Sequence, residues 1–262
     1  MVALAHLPAS VALTATHVLA ANGSFLIKPG VGLMIWTLVV FGILLVLLWR
    51  LAFPAIVRSV ESGFRGIKIK IGDGDLRKDV ETVAAVRTMI GPGVSLMVDY
   101  NQSLDPAEAC RRIERLIDYD IHWVEEPVPA EDIHGHARVR AATSVRIQTG
   151  ENWWFPRDMA KAIAAGASDF AMLDIMKIGG VTGWLSAMGQ AEAASLPVSS
   201  HTFVEASAHV LAVTPTAHWL EHLDIAGAIL AERCELADGK VRARGPGLGL
   251  QWDEQAIKRY LT

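Results

Sequence analysis

The stretch SLMVD (95–99) is a short apolar run that ends on Asp99. The runs HWVEE and RIQTGE repeat this pattern and carry Glu125 and Glu151, so that the acidic residues stand 26 positions apart and then 26 again. This step is about the length of one strand, one helix and two loops, so a repeated βα unit would deliver a carboxylate at the same strand end three times. Carboxylate oxygens are the ligands that a hard divalent cation takes. The spacing therefore predicts a cation site in an enzyme.

Further apolar runs lie on both sides of this stretch and alternate with helix-like segments. The strand-like runs are GIKIKI (66–71), SLMVDYN (95–101), HWVEE (122–126), RIQTGE (146–151), DFAMLDI (169–175), PVSSH (197–201) and HWLEHL (218–223). The helix-like segments between them include Leu76–Ile90, Pro106–Tyr119, Pro156–Ala165 and Thr182–Ala194. Strands that alternate with helices predict an α/β fold built from parallel βαβ units.

The predicted architecture of residues 63–262 is a TIM-type (β/α) barrel that lacks its first βα unit. A complete barrel has eight strands and takes roughly 250 residues, whereas seven strand-like runs are present. The missing unit would fall where an uncharged segment precedes residue 63. Because seven strands leave two unpaired edges, we expect an open barrel.

Charge is distributed unevenly along the 262 residues, which carry a net charge of −4. Residues 1–62 hold three basic residues and one acidic residue, a balance of +2, and the remaining 200 residues carry −6. No basic stripe indicates a nucleic-acid partner. Cys110 and Cys234 show no metal or redox spacing, so we interpret them as ordinary thiols in a reducing compartment.

The 21 residues between Lys28 and Arg50 carry no charge. A helix of that length spans about 30 Å, the thickness of a bilayer core. Residues 29–58 are therefore predicted to form a transmembrane-like helix and its exit, after an Ala-rich segment at 1–28. If 29–49 inserts, the basic residues that follow place the barrel in the cytoplasm. The alternative is a buried helix or strand pair in a cytoplasmic protein.

Residues 22–57 also resemble the membrane anchor of the b subunit of bacterial F-type ATP synthases. The resembling parts are the run GLMIWTLVVF and the exit LAFPAI. That subunit would continue as a long charged helix, whereas this chain turns at Ser62 and Gly63 into strands and glycines. A stalk role is therefore not predicted.

Candidate catalytic residues occupy the ends of the other strand-like runs. Lys68 and Lys70 stand two positions apart on one strand and face the same way. Their repulsion is expected to lower the pKa of one of them and make it a base, although a solvated pair on an edge strand is the alternative. Asp174 ends one run and His201 the next, so the carboxylate can hold the imidazole in one tautomer. A lone histidine is otherwise usually structural.

Two further polar residues complete the candidate site. Glu221 ends the last strand-like run, in HWLE, and Asn101 stands two residues beyond Asp99. Asn101 offers a neutral donor and acceptor beside the expected cation.

From about residue 63 onward the sequence resembles the enolase superfamily, specifically its mandelate racemase subgroup. The motifs that carry this resemblance stand in order along the chain: KIKIG, MVDYNQSLD, EEP, GENW, MKIGGVTGW, SSHTFVEASAH and TPTAHWLE. The resemblance implies Mg²⁺ as the cofactor and a small 2-hydroxy carboxylate as the substrate. It also implies homo-oligomers as an option, since these are common in the family.

The resemblance assigns a role to each candidate residue. It implies the following set: Asp99, Glu125 and Glu151 as Mg²⁺ ligands; Lys70 as the base for one face of the substrate α-carbon; His201, paired with Asp174, as the base for the other face; Lys68 as the neighbour that tunes Lys70 and contacts the substrate carboxylate; Asn101 at the α-hydroxyl; and Glu221 as a hydrogen-bond donor to the carboxylate. Two bases on opposite faces favour racemisation through an enediolate.

Two alternatives remain open at this point. A sugar-acid dehydratase of the same superfamily would use His201 as an acid towards a β-hydroxyl leaving group. A catalytically inert remnant is the second alternative, because the family's N-terminal capping domain and the first barrel strand are not found in the sequence before residue 63. The junction near Ser59–Gly63 resembles a join between unrelated segments.

Overall fold

The computed structural model describes residues 31–47, 53–234 and 236–261, which divide between Ala55 and Ile56 into two units. The Ala-rich segment predicted at 1–28 lies outside the described residues. We describe each unit by itself.

The first unit contains helix α1, Val31–Leu47, which has 17 residues and no charge. At 1.5 Å per residue it is about 25 Å long, short of the roughly 30 Å of a bilayer core. None of the helices in the described ranges is long and apolar enough to cross a membrane. The transmembrane helix predicted over 29–49 is therefore not supported by the described residues, and positions 29–30 and 48–49 lie outside them.

The second unit contains one parallel sheet whose strands follow the order of the chain. These strands are β1 (Gly66–Lys70), β2 (Ser95–Asp99), β3 (Ile121–Glu125), β4 (Ile147–Thr149), β5 (Phe170–Asp174), β6 (Val198–His201) and β7 (Ala217–Leu220). Each of the seven predicted runs contains one of them or most of one. A two-stranded antiparallel ribbon, β8 (Leu236–Ala237) and β9 (Lys240–Val241), follows the sheet.

Helices precede, connect and follow the parallel strands. Their bounds are α2 (Phe53–Glu61), α3 (Leu76–Ile90), α4 (Pro106–Glu114), α5 (Ile133–Ala142), α6 (Phe155–Ala165), α7 (Gly180–Ala193), α8 (Val204–Ala212) and α9 (Glu254–Lys258). The helix predicted at 106–119 is shorter than expected. It ends at Glu114, and a separate 3-10 turn follows at Ile117–Tyr119. Asp120 ends that turn with a left-handed backbone (φ 51°).

The sheet is open, as predicted, since β1 and β7 do not pair with each other in the described ranges. Side chains nevertheless link the two edges. Lys68 Nζ lies 2.7 Å from Glu221 Oε1, and the rings of Phe64 and His222 are 5.3 Å apart between centroids. The sheet is thus a fragment of a TIM-type barrel whose edge strands approach each other.

Two apolar clusters pack on this sheet. The first includes Val83 of α3, Leu96 of β2, Ile113 of α4 and Val124 of β3, and Ile56 and Val60 of α2 pack against it. The second includes Met159 of α6, Leu173 of β5, Trp184 of α7 and Val198 of β6. Helices packed on parallel strands in this way leave the carboxyl ends of the strands free for polar side chains.

Local sequence signals fix the loops that follow these strands. The carboxylate of Asp75 accepts from the N–H of Arg77 and caps α3, and Asp105 caps α4 ahead of a proline at the first helical position. An Asp cap with proline behind it is a standard helix start. Both helices therefore begin at a fixed distance from the strand end before them.

The loop after β1 is held by a buried ion pair. Arg112 Nη1 lies 2.7 Å from Asp79 Oδ2, and its Nη2 donates to the carbonyl of Gly74 at 2.6 Å. The other oxygen of Asp79 accepts from the backbone N–H of Gly72 at 2.9 Å. This arrangement ties the loop that leaves Lys70 to helices α3 and α4.

We predict that Arg112→Leu lowers the free energy of unfolding by about 3 kcal/mol, because it leaves the buried carboxylate of Asp79 without its partner. Arg111→Leu is the matched control on the same helix, since Arg111 is exposed and contacts the half-buried Glu108 rather than the buried Asp79. Urea unfolding of both variants measures the difference. Equal midpoints for the two would contradict the role given to Arg112.

A buried histidine on α5 predicts a pH dependence of stability. Only 2% of His136 is exposed, and its Nδ1 lies 3.2 Å from the carbonyl oxygen of Asp132, so Nδ1 carries the proton and donates. Burial lowers the pKa of His136 to about 4. The unfolded chain would titrate near 6.5.

The neutral imidazole therefore stabilises the fold fully above pH 6.5, and this contribution is lost as the pH falls towards 4. At about 1.4 kcal/mol per pKa unit, the loss is about 3 kcal/mol. Chemical unfolding at pH 7 and pH 4 should show a larger loss for the parent than for His136→Leu. His134→Leu, at an exposed histidine of the same helix, is the control. The assignment is wrong if His136→Leu loses as much unfolding free energy between pH 7 and pH 4 as the parent does.

Candidate active site

The nine predicted site residues meet at the carboxyl ends of the parallel strands, where every one of them contacts at least one other. The set is Lys68, Lys70, Asp99, Asn101, Glu125, Glu151, Asp174, His201 and Glu221. Six of them lie within strands. Asn101 and Glu151 lie two residues beyond a strand, and Glu221 lies one residue beyond. Register explains the convergence, because β1 to β3 align Lys70 with Asp99 and Asp99 with Glu125.

Three buried carboxylates form the centre of the site. Asp99 and Glu125 are fully buried, Glu151 is 7% exposed, and one oxygen from each lies within 4.8 Å of the others. The Oε2 atom of Glu151 is buried and has no hydrogen-bond partner among the described residues. Octahedral Mg²⁺ holds oxygens at about 2.1 Å and therefore cis ligands about 3 Å apart. The all-oxygen set suits Mg²⁺ once these oxygens draw closer together, and the Glu151 oxygen that makes no hydrogen bond is available as a ligand.

Lys68 lies at the centre of the acidic residues. Its Nζ is 2.5 Å from Glu125 Oε1, 2.7 Å from Glu221 Oε1 and 3.7 Å from Asp99 Oδ2. Burial alone lowers the pKa of Lys68, but the charges of these carboxylates outweigh burial and raise the pKa above its usual range. The repulsion expected between the two lysines therefore does not lower the pKa of Lys68. Contact with three carboxylates dominates over repulsion by Lys70.

Lys70 flanks the carboxylates on the Asp99 side and is 60% exposed. Its Nζ donates to Asp99 Oδ2 at 2.6 Å and to Asn101 Oδ1 at 2.9 Å. The backbone N–H of Asn101 donates to the other oxygen of Asp99 at 2.7 Å, which is possible because Asn101 has a left-handed backbone (φ 46°). Asn101 therefore holds both the lysine and the carboxylate.

His201 flanks the carboxylates on the Glu151 side. Its Nδ1 donates to Asp174 Oδ2 at 2.7 Å, which leaves Nε2 facing Glu151 Oε2 at 3.4 Å and Glu221 Oε2 at 3.9 Å. Burial alone lowers the pKa of His201, but the bond to Asp174 and the charges of Glu151 and Glu221 raise it above its ordinary value. Asp174 therefore fixes the tautomer that presents Nε2 to the site.

The Glu125 carboxylate is held in its orientation by two neutral hydrogen-bond donors. Its Oε2 accepts from Trp123 Nε1 and from Gln148 Nε2, each at 3.1 Å. Gln148 is in turn held by the hydroxyl of Ser199 at 3.3 Å from its Oε1. Burial raises the pKa of the Glu125 carboxyl; Lys68 opposes this effect and Asp99 adds to it. With Oε2 occupied, Oε1 is the oxygen of Glu125 that faces the site.

A family model described as enolase C-terminal domain-like matches residues 54–256. The chain belongs to this family. The earlier likeness of residues 22–57 to the ATP synthase b subunit gains no support from the comparisons. Most of that segment precedes the matched range, and apolar helices of unrelated proteins share its composition.

Relatives of this enolase-like chain are enzymes of several kinds. This chain is 35% identical over 202 residues to L-talarate/galactarate dehydratase of Salmonella typhimurium, and the match covers 77% of this chain and 51% of the relative. It is 34% identical over 204 residues to 3,6-anhydro-alpha-L-galactonate cycloisomerase of Streptomyces coelicolor, covering 77% and 56%. The chain thus spans about half the length of these curated relatives.

A solved structure is more similar still. An enolase from Bradyrhizobium in complex with magnesium and mandelic acid shares 60% sequence identity with this chain, with a TM-score of 0.77. The match covers 79% of this chain and 58% of that one. The enolase-like fold and its relation to magnesium-binding enzymes are therefore established for residues 54–256.

Three residues of the enolase-like domain lie against the site but were not predicted: Glu126, Asn152 and Lys177. Lys177 Nζ donates to Asn152 Oδ1 at 2.6 Å, and Asn152 Nδ2 donates to Glu126 Oε2 at 2.7 Å. Burial, and secondarily the charge of Glu151, raises the pKa of Glu126 to about 7. Glu126 and Asn152 directly follow Glu125 and Glu151, and Lys177 lies in the motif MKIGGVTGW, so sequence adjacency or motif membership was a signal for each of them.

Proposed function

We propose that this chain carries the catalytic portion of a Mg²⁺-dependent enzyme that removes the proton α to a carboxylate, and that its reaction is the racemisation of a 2-hydroxy acid. One observation carries the proposal. Lys70 and His201 flank opposite ends of a single carboxylate cluster, one against Asp99 and the other against Glu151. A substrate bound over the cluster would meet a base on either side.

The cation would be held by Asp99, Glu125 and Glu151. All three side chains are buried and offer oxygen ligands, which supports the proposal. Bound Mg²⁺ supplies positive charge that stabilises the second negative charge formed on the substrate carboxylate. Lys68, already between Glu125 and Glu221, can contact the same carboxylate. Fixed charges of this kind in a buried site are effective because they need no rearrangement during the reaction.

Proton transfer falls to Lys70 and His201. One removes the α-proton, and the other returns a proton to the opposite face of the planar enediolate. Nε2 of His201 is the atom that does so, since Nδ1 is bonded to Asp174. Asn101 would position the α-hydroxyl and Glu221 would donate to the carboxylate as charge builds there. The mandelic acid in the similar Bradyrhizobium structure supports a 2-hydroxy acid as the substrate class.

Dehydration of a sugar acid is the second candidate, and the observation in its favour is the similarity to L-talarate/galactarate dehydratase. In that reaction Lys70 would remove the α-proton and His201 would protonate the departing β-hydroxyl, so that water leaves and a 2-keto-3-deoxy acid forms. The same residues serve both reactions, and the substrate decides between them.

The test is incubation of the purified chain in D₂O with each enantiomer of mandelate and, separately, with galactarate, with Mg²⁺ and with EDTA. Mg²⁺-dependent deuterium uptake at the α-carbon of mandelate supports racemisation. If galactarate yields a keto acid while mandelate takes up no deuterium, dehydration replaces racemisation as the proposed reaction. A folded protein that binds Mg²⁺ but exchanges neither substrate would identify an inert remnant.

A further inference from the structure

Beside the carboxylates runs a chain of three polar contacts that none of the roles above uses. Lys177 Nζ lies 2.6 Å from Asn152 Oδ1, and Asn152 Nδ2 lies 2.7 Å from Glu126 Oε2. The same Nδ2 is 3.4 Å from Glu151 Oε1. Lys177 is thereby linked to one of the three buried carboxylates through a single amide.

The backbone of Lys177 binds the other half of the site. Its N–H donates to Asp174 Oδ1 at 3.1 Å, and Asp174 in turn holds His201 through its other oxygen. Its carbonyl accepts at 3.1 Å from the N–H of Phe155, the residue that begins α6 at the end of the loop after Glu151. One residue therefore contacts both the histidine pair and the loop of the carboxylate cluster.

The donor and acceptor chemistry of these groups permits one orientation only. A lysine ammonium donates and never accepts, so it must face the oxygen of the Asn152 amide. The NH₂ group is then directed at the carboxylates of Glu126 and Glu151, which accept only. A flipped amide would place two donors against each other and two acceptors against each other. Lys177 thus fixes the direction in which Asn152 points.

Burial distinguishes this chain of contacts from a surface ion pair. Glu126 is 1% exposed, and Lys177 and Asn152 are half-buried. Glu126 reaches this position through a left-handed backbone (φ 34°), which breaks the strand alternation after Glu125. In a surface ion pair the lysine would contact the carboxylate directly, whereas here the amide of Asn152 lies between Lys177 and Glu126. The contacts therefore hold the side chain of Asn152 in place.

We propose that Lys177 and Asn152 are positioning residues that hold Glu151 in the orientation for cation binding and keep it in register with the Asp174–His201 pair. The inference rests on the proposed function, in which Glu151 is a ligand of Mg²⁺. Groups that orient metal ligands typically contribute 10- to 100-fold to metal affinity.

The experiment is a calorimetric titration of Mg²⁺ into the purified chain, repeated with Mn²⁺ by electron paramagnetic resonance. Lys177→Met keeps the length of the side chain and removes the donor, and the backbone bond to Asp174 stays. Lys161→Met is the matched control, since Lys161 is an exposed lysine that pairs with Asp158 on α6. We expect a 10- to 100-fold weaker metal affinity in Lys177→Met, parent affinity in Lys161→Met and partial rescue in Lys177→Arg.

Each outcome has a distinct meaning. If the parent binds metal and Lys177→Met binds equally well, the positioning role is wrong while the proposed function stands. If the parent shows no saturable binding, both fall together. If Lys177→Met does not fold, Asn152→Leu decides by the same criterion, because it removes the amide and leaves the lysine. A loss in Lys177→Met that Lys177→Arg does not reduce at all would also overturn the role of the donated hydrogen bond.

Discussion

Glu151→Gln is expected to abolish Mg²⁺ binding while the metal-free protein becomes no less stable. One carboxylate oxygen of Glu151 lies within 4.8 Å of an oxygen of Asp99 and of Glu125. The Oε2 atom of Glu151 is buried and has no hydrogen-bond partner in the described part of the chain. Three carboxylates at this distance repel one another. An amide of the same shape removes part of that repulsion, but it also removes a charged ligand.

Thermal unfolding with Mg²⁺ and with EDTA measures both effects at once. A ligand that binds only the folded state at 100 times its Kd stabilises it by about 2.7 kcal/mol. The parent should therefore melt higher with Mg²⁺, and Glu151→Gln should melt at the same temperature in both solutions. Glu151→Gln should also lose the Mg²⁺-dependent deuterium exchange.

Glu192→Gln serves as the control, because Glu192 is an exposed residue on α7 and should leave the response to Mg²⁺ intact. A Glu151→Gln protein that Mg²⁺ still stabilises like the parent would remove Glu151 from the ligand set. A variant that is strongly destabilised without metal would show that the carboxylate serves the fold rather than a cation.

The strands and the carboxylates they carry were predictable from the sequence for a simple reason. In parallel βαβ units all strands end at the same edge of the sheet, so residues such as Asp99 and Glu125 must converge once the strands are recognised. The identity of the strands followed from short apolar runs between helix-like segments. No knowledge of side-chain geometry was needed for either step.

The side-chain contacts were not predictable to the same degree. Alternation along a strand would turn Glu126 away from the side chain of Glu125, but the left-handed backbone at Glu126 returns it to the vicinity of Asn152. Lys177 reaches Asn152 across two loops, and no sequence spacing encodes that contact. The pKa of Lys68 depends on how many carboxylates surround it, a number that only the packed structure supplies.

The uncharged segment before the barrel illustrates a different limit. A run of uncharged residues predicts an apolar helix but does not by itself establish a membrane span. The structure describes an uncharged helix, α1 (Val31–Leu47), inside that run, and none of the helices in the described ranges is long and apolar enough to cross a membrane.

Replacement of either base is expected to abolish proton exchange from one enantiomer of the substrate and to spare the other. Lys70 contacts Asp99 at one end of the carboxylate cluster, and His201 contacts Glu151 at the other end. A substrate α-carbon between them presents its proton to Lys70 in one enantiomer and to His201 in the other. Lys70→Ala and His201→Asn should therefore fail on opposite enantiomers, while racemisation is lost in both.

A general base contributes about 10²- to 10⁴-fold to such a step, which sets the expected loss of exchange from the affected enantiomer. Rates are measured by NMR in D₂O with each mandelate enantiomer at saturating Mg²⁺, so that any change in cation affinity through Asp99 or Glu151 does not contribute. Lys78→Ala and His134→Asn are matched exposed controls and should exchange both enantiomers at the parent rate. Equal losses from both enantiomers in either variant would contradict the two-base arrangement and leave a single base, as a dehydratase requires. Opposite losses would instead assign each residue to its own face of the α-carbon.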